Sequence, residues 1–412
     1  MRSIDLVRIC RIVAMAAAGA FIGIPLSAVS GQDSTTREVT FSRDVAPIVF
    51  HHCVYCHRPG NIGPFSAGTY DAIRPWARSI RQAVLTRRMP PWFAEPGYRG
   101  LVHDRRLSDD DIRTIAAWVD GGSKEGNPAS LPSLPQFTDG WEIGTPDLVV
   151  TMSEPYRIPA SGFVPTVSLP TDYVFPEDMW VQAIELKPGN PRVVHQALVR
   201  LGNGGITDGL HLYSSGLGAT MFREGYGKFI PKGTRIHLQM HYNAIGQQTT
   251  DRSQVGFKFA VKPVHTEVRT GIGESRPLPA PASPPSHQNA STFPLSASAR
   301  IHAFRLHMST RGGRATATLV LPDGSRTVLF AAEGWTDDWE HDYVLAKPEI
   351  VPAGARLEYA ASDGIPSLQR TGEAHALYFE WTEVNERNRN DLEPIRIPAN
   401  PLFTTGVRVR SP

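Results

Sequence analysis

The chain has 412 residues, 41% of them hydrophobic and 20% charged, with a formal net charge of +2 and three cysteines. These values exclude a disordered polymer, a membrane bundle and a disulfide-rich mini-protein. So small a net charge also excludes the basic footprint of a nucleic-acid binder. The length asks for more than one domain, and 36 Gly with 35 Pro favour turns and a β-rich bulk.

Residues 1–31 read as a signal peptide. Arg2, Arg8 and Arg11 give a basic start, Ile12 to Ile24 is apolar and small, and Ala28-Val29-Ser30 offers small residues for cleavage. An apolar run of about 17 residues is short for a membrane span, and Cys10 precedes it, so it is not placed as a lipoprotein cysteine. The expectation is a periplasmic or secreted protein with no membrane span after cleavage. Cleavage takes three Arg and one Asp and leaves 39 basic and 39 acidic residues, so no nucleic-acid partner is expected. Only Cys53 and Cys56 then remain, and no disulfide is expected.

The segment 38–125 carries the most specific motif, Cys53-x-x-Cys56-His57. Two cysteines at this spacing fit thioether bonds to the two vinyl groups of one porphyrin, and the next residue offers an imidazole to the iron. A zinc site would need a second pair of ligands at fixed spacing, and a redox dithiol would want a βαβ context; neither is present. Haem c, covalently attached, is therefore the expected cofactor. Helices are expected over Phe41 to Phe50, over Tyr70 to Thr86 with Ile73, Trp76, Ile80 and Val84 in one stripe, and from Ser108 to Gly121. Ser108 caps the last with Asp111 three residues on, and Ile112, Ile115, Ala116 and Val119 form its apolar face. One helix before the motif, one between and one closing helix resemble the class I cytochrome c fold, an all-α domain. Met89, in Arg88-Met89-Pro90-Pro91-Trp92, is the candidate sixth iron ligand, because two prolines hold an extended segment after a helix. His51, His52 and His103 are the alternatives.

Residues 126–140 are rich in Pro, Ser and Gly and read as a linker. Beyond them, short alternating runs predict strands at Asp147–Met152, Trp180–Leu186, Val193–Leu201, Thr234–Asn243 and Val255–Val261. A second Pro-rich stretch, 264–298, separates these from Ile301–Ser309, Ala315–Leu321, Thr327–Ala331, Arg356–Ala361 and Ala374–Trp381. The fold class expected is therefore multidomain: an all-α haem domain, then two tandem all-β sandwiches of jelly-roll type at 141–263 and 299–385, with a tail at 386–412.

Particular words in these sandwiches carry a family resemblance. Gly140-Trp141-x-x-Gly144-x-Pro146-Asp147, Pro188-Gly189-Asn190 before Val193-Val194-His195, Leu238-Gln239-Met240-His241-Tyr242 and Leu306-His307-Met308-x-x-Arg311-Gly312 resemble the copper type II, ascorbate-dependent monooxygenases. Bacterial members of that family with a cytochrome c domain in front share this layout, including a Met-Pro-Pro-Trp segment. The resemblance implies a first copper on a His-His pair and a later His, and a second copper on His-x-His and a Met, where oxygen is activated.

Residue by residue the chain departs from that pattern. His195 and His241 match the first site, but Gln196 replaces the second His of the pair. His307 matches the start of His-x-His, but Ser309 replaces its end, and Ala374 stands where the Met is expected. Amide and hydroxyl oxygens are poor donors to Cu(I). His302, His341 and His375 are the remaining imidazoles that could substitute; His237 shares a face with His241 but lies about 13 Å along the strand. Copper at His195 and His241 is a candidate, and His307 is the remnant of a second site.

The expected function is one-electron transfer through a covalent haem, with a redox protein or small electron carrier as partner. Two alternatives stand beside it: an active copper monooxygenase hydroxylating a C–H bond of a small-molecule substrate with the haem as donor, and an extracellular ligand-binding sandwich with a structural or sensory haem.

Overall fold

The computed structural model describes residues 37–102, 104–202, 209–275, 289–308, 310–336, 339–362, 365–366 and 375–396. The segment read as a signal peptide, His103, Ser309 and Ala374 lie outside the described residues, as do the middle of the 264–298 stretch and the end of the tail.

The helical segment is short-membered. A π-helical turn at Phe41–Val45 leads into α1 (Ala46–His52), which ends at the haem motif. One turn at Tyr70–Ile73 passes through a 3-10 turn into α2 (Ala77–Leu85), and α3 spans Asp109–Asp120. The start of α3 follows from its capping box: the Ser108 hydroxyl accepts from Asp111 N at 3.0 Å while the Asp111 carboxylate accepts from Ser108 N at 3.1 Å. Its buried face is Ile112, Ile115 and Trp118, one step round from the expected stripe, because the Trp118 indole donates to Lys124 O at 2.9 Å and closes the turn beyond the helix. Trp76, expected in the buried stripe of α2, is 37% exposed and lies on Phe65 instead.

Two β-sandwiches make up most of the chain. In the first, a four-stranded sheet runs Val167–Val174, Arg235–Tyr242, Val194–Leu201, Gly209–Ser214, and faces a sheet built on Met179–Lys187 and Gln254–Phe259. Along Arg235–Tyr242 the side chains of Ile236, Leu238, Met240 and Tyr242 are buried in the core between the sheets, and Arg235, His237, Gln239 and His241 point to the other face. The second sandwich packs Arg269–Ser275, His375–Glu383, Ala299–His307, Asp342–Val351 against Asn289–Pro294, Arg356–Ala361, Arg314–Val320, Arg326–Glu333. Its core includes Phe304, Leu306, Ala317, Leu329, Trp335 and Phe379. Two of these strands, Arg269–Ser275 and Asn289–Pro294, fall within the stretch read as a linker; both ends of that stretch are recruited as edge strands of the second sandwich.

The expected fold class needs correction. A separate all-α cytochrome c domain in front of two independent sandwiches is not what the chain builds. Strand dominates, α1, α2 and α3 have only 7, 9 and 12 residues, and the described residues from Val39 onward form one compact unit. The physical reason lies between α2 and α3. Residues 92–102 run along the second sandwich, where Ala94 bridges to Ala332 and Leu101 to Leu345. Backbone bonds fix them there: Glu95 N to Ala331 O at 2.8 Å, Glu333 N to Phe93 O at 3.0 Å and Ala346 N to Gly100 O at 2.7 Å. The helices are thus a layer built onto a β body.

The tail joins the same body. Arg396 pairs with Asp342 at 2.6 Å and with Glu380 at 2.7 Å, and Lys228 of the first sandwich reaches Glu380 at 3.0 Å. Arg305 adds a bond to Asp342 at 2.7 Å, so three cations and two carboxylates interlock in a buried seam between the sandwiches.

Candidate functional site

The haem motif leaves the C-terminal end of α1 in a tight turn, with Cys53 N donating to Val49 O at 2.8 Å and His57 N to Cys53 O at 2.9 Å. That turn directs Cys53, Cys56 and His57 to one cavity of about 470 Å³. Met89, 32 residues after His57, lines the same cavity from the far side of α2, together with apolar side chains such as Val49, Ile73 and Val84. Phe65 packs on the His57 ring at 4.3 Å and Trp76 on Phe65 at 5.0 Å, so an aromatic stack leads from the imidazole to the surface.

The electrostatics separate this dithiol from a redox pair. Burial, then the neighbouring Cys56, pushes the Cys53 thiol up to about 12, and burial also raises Cys56 against the pull of Arg105. With both pKa values raised by burial, the thiols keep their protons at neutral pH. A reactive dithiol needs the opposite, a lowered pKa. The His57 pKa is lowered by burial, and among the described residues its Nδ1 is buried with no hydrogen-bond partner. Gly63 makes room for that ring: a Cβ there would sit 2.7 Å from His57 Nδ1. A neutral imidazole, a thioether and two thiols around an apolar void of this size fit the covalent haem that the motif implies.

Of the alternative ligands, His52 also lines the cavity, and burial followed by the charge of His51 lowers it to about 4.

The copper candidates are distributed differently. His195 sits at an irregularity in strand pairing between Val194 and Gln196, and Gln196 faces His241 across the strands. His195 and Asn243 reach the cavity of Cys53, Cys56 and His57 from the first sandwich, and Trp339 reaches it from the second, its ring 4.6 Å from that of His195. His241 Nδ1 lies 3.3 Å from Thr166 Oγ1, and the Oε1 of Gln196 is buried without a partner among the described residues. His307 is bonded through Nδ1 to the buried Glu340 at 2.7 Å. His302 bonds Thr382 at 2.9 Å, and His341 lies in an aromatic box with Trp92 and Tyr343. Among the described residues no three His, Cys, Asp or Glu side chains converge as a metal site. No sequence signal places His195 at the cavity of Cys53, Cys56 and His57. Arg105 and Trp339 also line the cavity, and neither carries a motif signal in the sequence.

A second, polar cavity of about 280 Å³ adjoins the motif, lined by Tyr55 and Arg58 on one side and Glu142 and Glu185 on the other.

Comparison with known proteins adds little. No protein-family model matches the chain, and no curated protein matches it. Among solved structures it is similar to the major capsid protein P2 of bacteriophage PM2, at 10% identity and a TM-score of 0.27, over 58% of this chain and 98% of that one. It is similar also to the VP2 subviral particle of infectious bursal disease virus, at 10% identity and a TM-score of 0.16, over 61% and 84% of the two chains. Allantoicase from Saccharomyces cerevisiae gives 10% identity and a TM-score of 0.19, over 52% and 76%. At such TM-scores none of these carries an argument.

Proposed function

We propose that this chain is an exported redox protein that carries haem c on Cys53 and Cys56, with His57 and Met89 as the axial pair. The supporting observation is that these four residues, spread over 37 positions, line one apolar cavity. When bound there, the haem supplies a one-electron couple, and a His/Met pair favours electron carriage over oxygen chemistry. The chain's own contribution is to hold an imidazole neutral, keep a thioether in reach and exclude water with Ile73, Val84 and Phe65. Phe65 and Trp76 extend the cavity wall to the surface, where a redox protein or small electron carrier would exchange the electron. The resemblance to copper type II monooxygenases is read as kinship of the sandwiches, with copper at His195 and His241 a lesser proposal and His307 a remnant.

The test is production in a bacterial periplasm with haem-attachment machinery. The expected result is a haem-staining band that survives denaturing electrophoresis and disappears in Cys53→Ala/Cys56→Ala. A mature protein of unmodified polypeptide mass would overturn the proposal.

A further inference from the structure

We infer that the second sandwich sets the position of Met89 through Trp92, an inference that rests on the haem reading above. Met89 is fixed from both ends. On its N-terminal side α2 closes with Arg87 in the left-handed region, φ 50°, and the amides of Arg88 and Met89 both donate to Ala83 O, at 2.9 and 3.2 Å. On its C-terminal side Pro90 and Pro91 have restricted backbones and no amide proton to give. The next residue is already on another layer. The Trp92 ring lies 4.9 Å from Tyr343 and 5.6 Å from His341, and Phe93 lies 5.1 Å from Trp335.

The same layer then holds the chain by its backbone, through Ala94 opposite Ala332, and by a two-point pair of Arg314 with Glu95 at 2.5 and 3.0 Å. Three residues, Met89 to Pro91, therefore span the gap between a helix end and a sandwich. So short a tether leaves little slack for the thioether to move unless one anchor moves.

The anchor works by shape. Among the described residues, Trp92 Nε1, both ring nitrogens of His341 and Tyr343 Oη are buried with no hydrogen-bond partner. The backbone at Pro91 and Phe93 is the polar neighbour that perturbs His341 and Tyr343. With no directional bond from the indole, ring volume and dispersion fix Trp92. Trp92 and the Glu95–Arg314 pair are thus positioning residues for the sixth ligand, and any shift of Arg326–Glu333 or Asp342–Val351 is transmitted to the cavity.

The experiment compares holoprotein of wild type, Trp92→Phe, Trp92→Ala and Arg314→Gln. The readouts are the far-red sulfur-to-iron absorption of the oxidised state and the reduction potential, with circular dichroism to check folding. Trp92→Phe should keep the band and the potential. Trp92→Ala should lose the band and fall in potential, as a Met ligand raises it. Arg314→Gln, at a half-buried position on the sandwich surface, should lower the potential by a smaller step in the same direction; it decides the matter if Trp92→Ala does not fold. A folded Trp92→Ala with band and potential unchanged overturns the inference, as does a wild-type haem protein that lacks the band. A wild type without covalent haem overturns the function itself, which is a separate and distinguishable failure.

Discussion

The Sγ of Cys56 lies 3.2 Å from the carbonyl oxygen of Ser215, 159 residues later, so the haem motif is seated directly on a loop of the first sandwich. Gly216 makes the seat possible. A Cβ at this position would stand 2.5 Å from Cys56 Sγ, and its φ of +78° already disfavours any side chain. Gly216→Ala should therefore displace Cys56 and reduce covalent haem per chain by half or more, measured as pyridine haemochrome against protein. Full occupancy in the variant would show that the loop is not a seat.

How far the sequence carried the reader follows from how local each signal was. The haem motif is five residues long and the α3 capping box four, so both were legible from adjacent letters. Alternation marked most central strands within a residue or two. The capture of Trp92 to Val102 by the second sandwich left no periodic trace, because a segment that adds only isolated bridges needs no pattern of its own. Arg269–Ser275 and Asn289–Pro294 were hidden for a related reason: they flank a Pro-rich stretch, and edge strands tolerate weak β patterning. His195 was legible as a metal-binding type of residue, but it comes to the cavity of Cys53 and Cys56 at a pairing irregularity that no sequence rule announces.

The His307–Glu340 pair bears on copper. An imidazole already bonded at 2.7 Å to a buried carboxylate, with no third ligand group among the described residues, is a weak start for a tight site. After Cu(II) loading and desalting, His307→Ala should retain the same copper per chain as wild type. His241→Ala, by contrast, should lose whatever copper wild type holds at the first sandwich. A drop in both, measured by mass spectrometry of the metal, would restore a second site.

The seam of Lys228, Glu380, Arg396, Asp342 and Arg305 predicts acid sensitivity. Burial alone would raise Glu380, but Arg396 and then Lys228 outweigh it and hold the carboxyl down to about 2; Arg305 and Arg396 likewise hold Asp342 below the usual carboxylate range. Depressed acids contribute stability that is present above their unfolded values, near pH 4, and lost as pH falls through the folded ones. Denaturant midpoints should thus fall steeply between about pH 4 and 2. Arg396→Ala leaves Asp342 with Arg305 alone and Glu380 with Lys228 alone; it should cost on the order of 3 kcal/mol at pH 7 and flatten that fall. An unchanged slope in the variant would count against the seam as its origin.

Glu185 predicts the opposite trend nearer neutrality. It is 8% exposed and lines the polar cavity beside the haem motif, facing Glu142, Lys187 and Arg58. Burial first, then the charge of Glu142, raises it to about 7, although the amides of Ile143 and Glu142 donate to its Oε2 and pull it down, as Lys187 does. A raised acid binds its proton more tightly in the folded state. Its contribution is complete below the unfolded value, about 4.3, and is lost as pH rises through 7. Stability should therefore decline by on the order of 2–3 kcal/mol between pH 4.5 and 8. Glu185→Gln keeps the shape and removes the titration, so its denaturation profile should be flat over this range while wild type falls. Parallel profiles for the two proteins would move the titration to another group in that cavity.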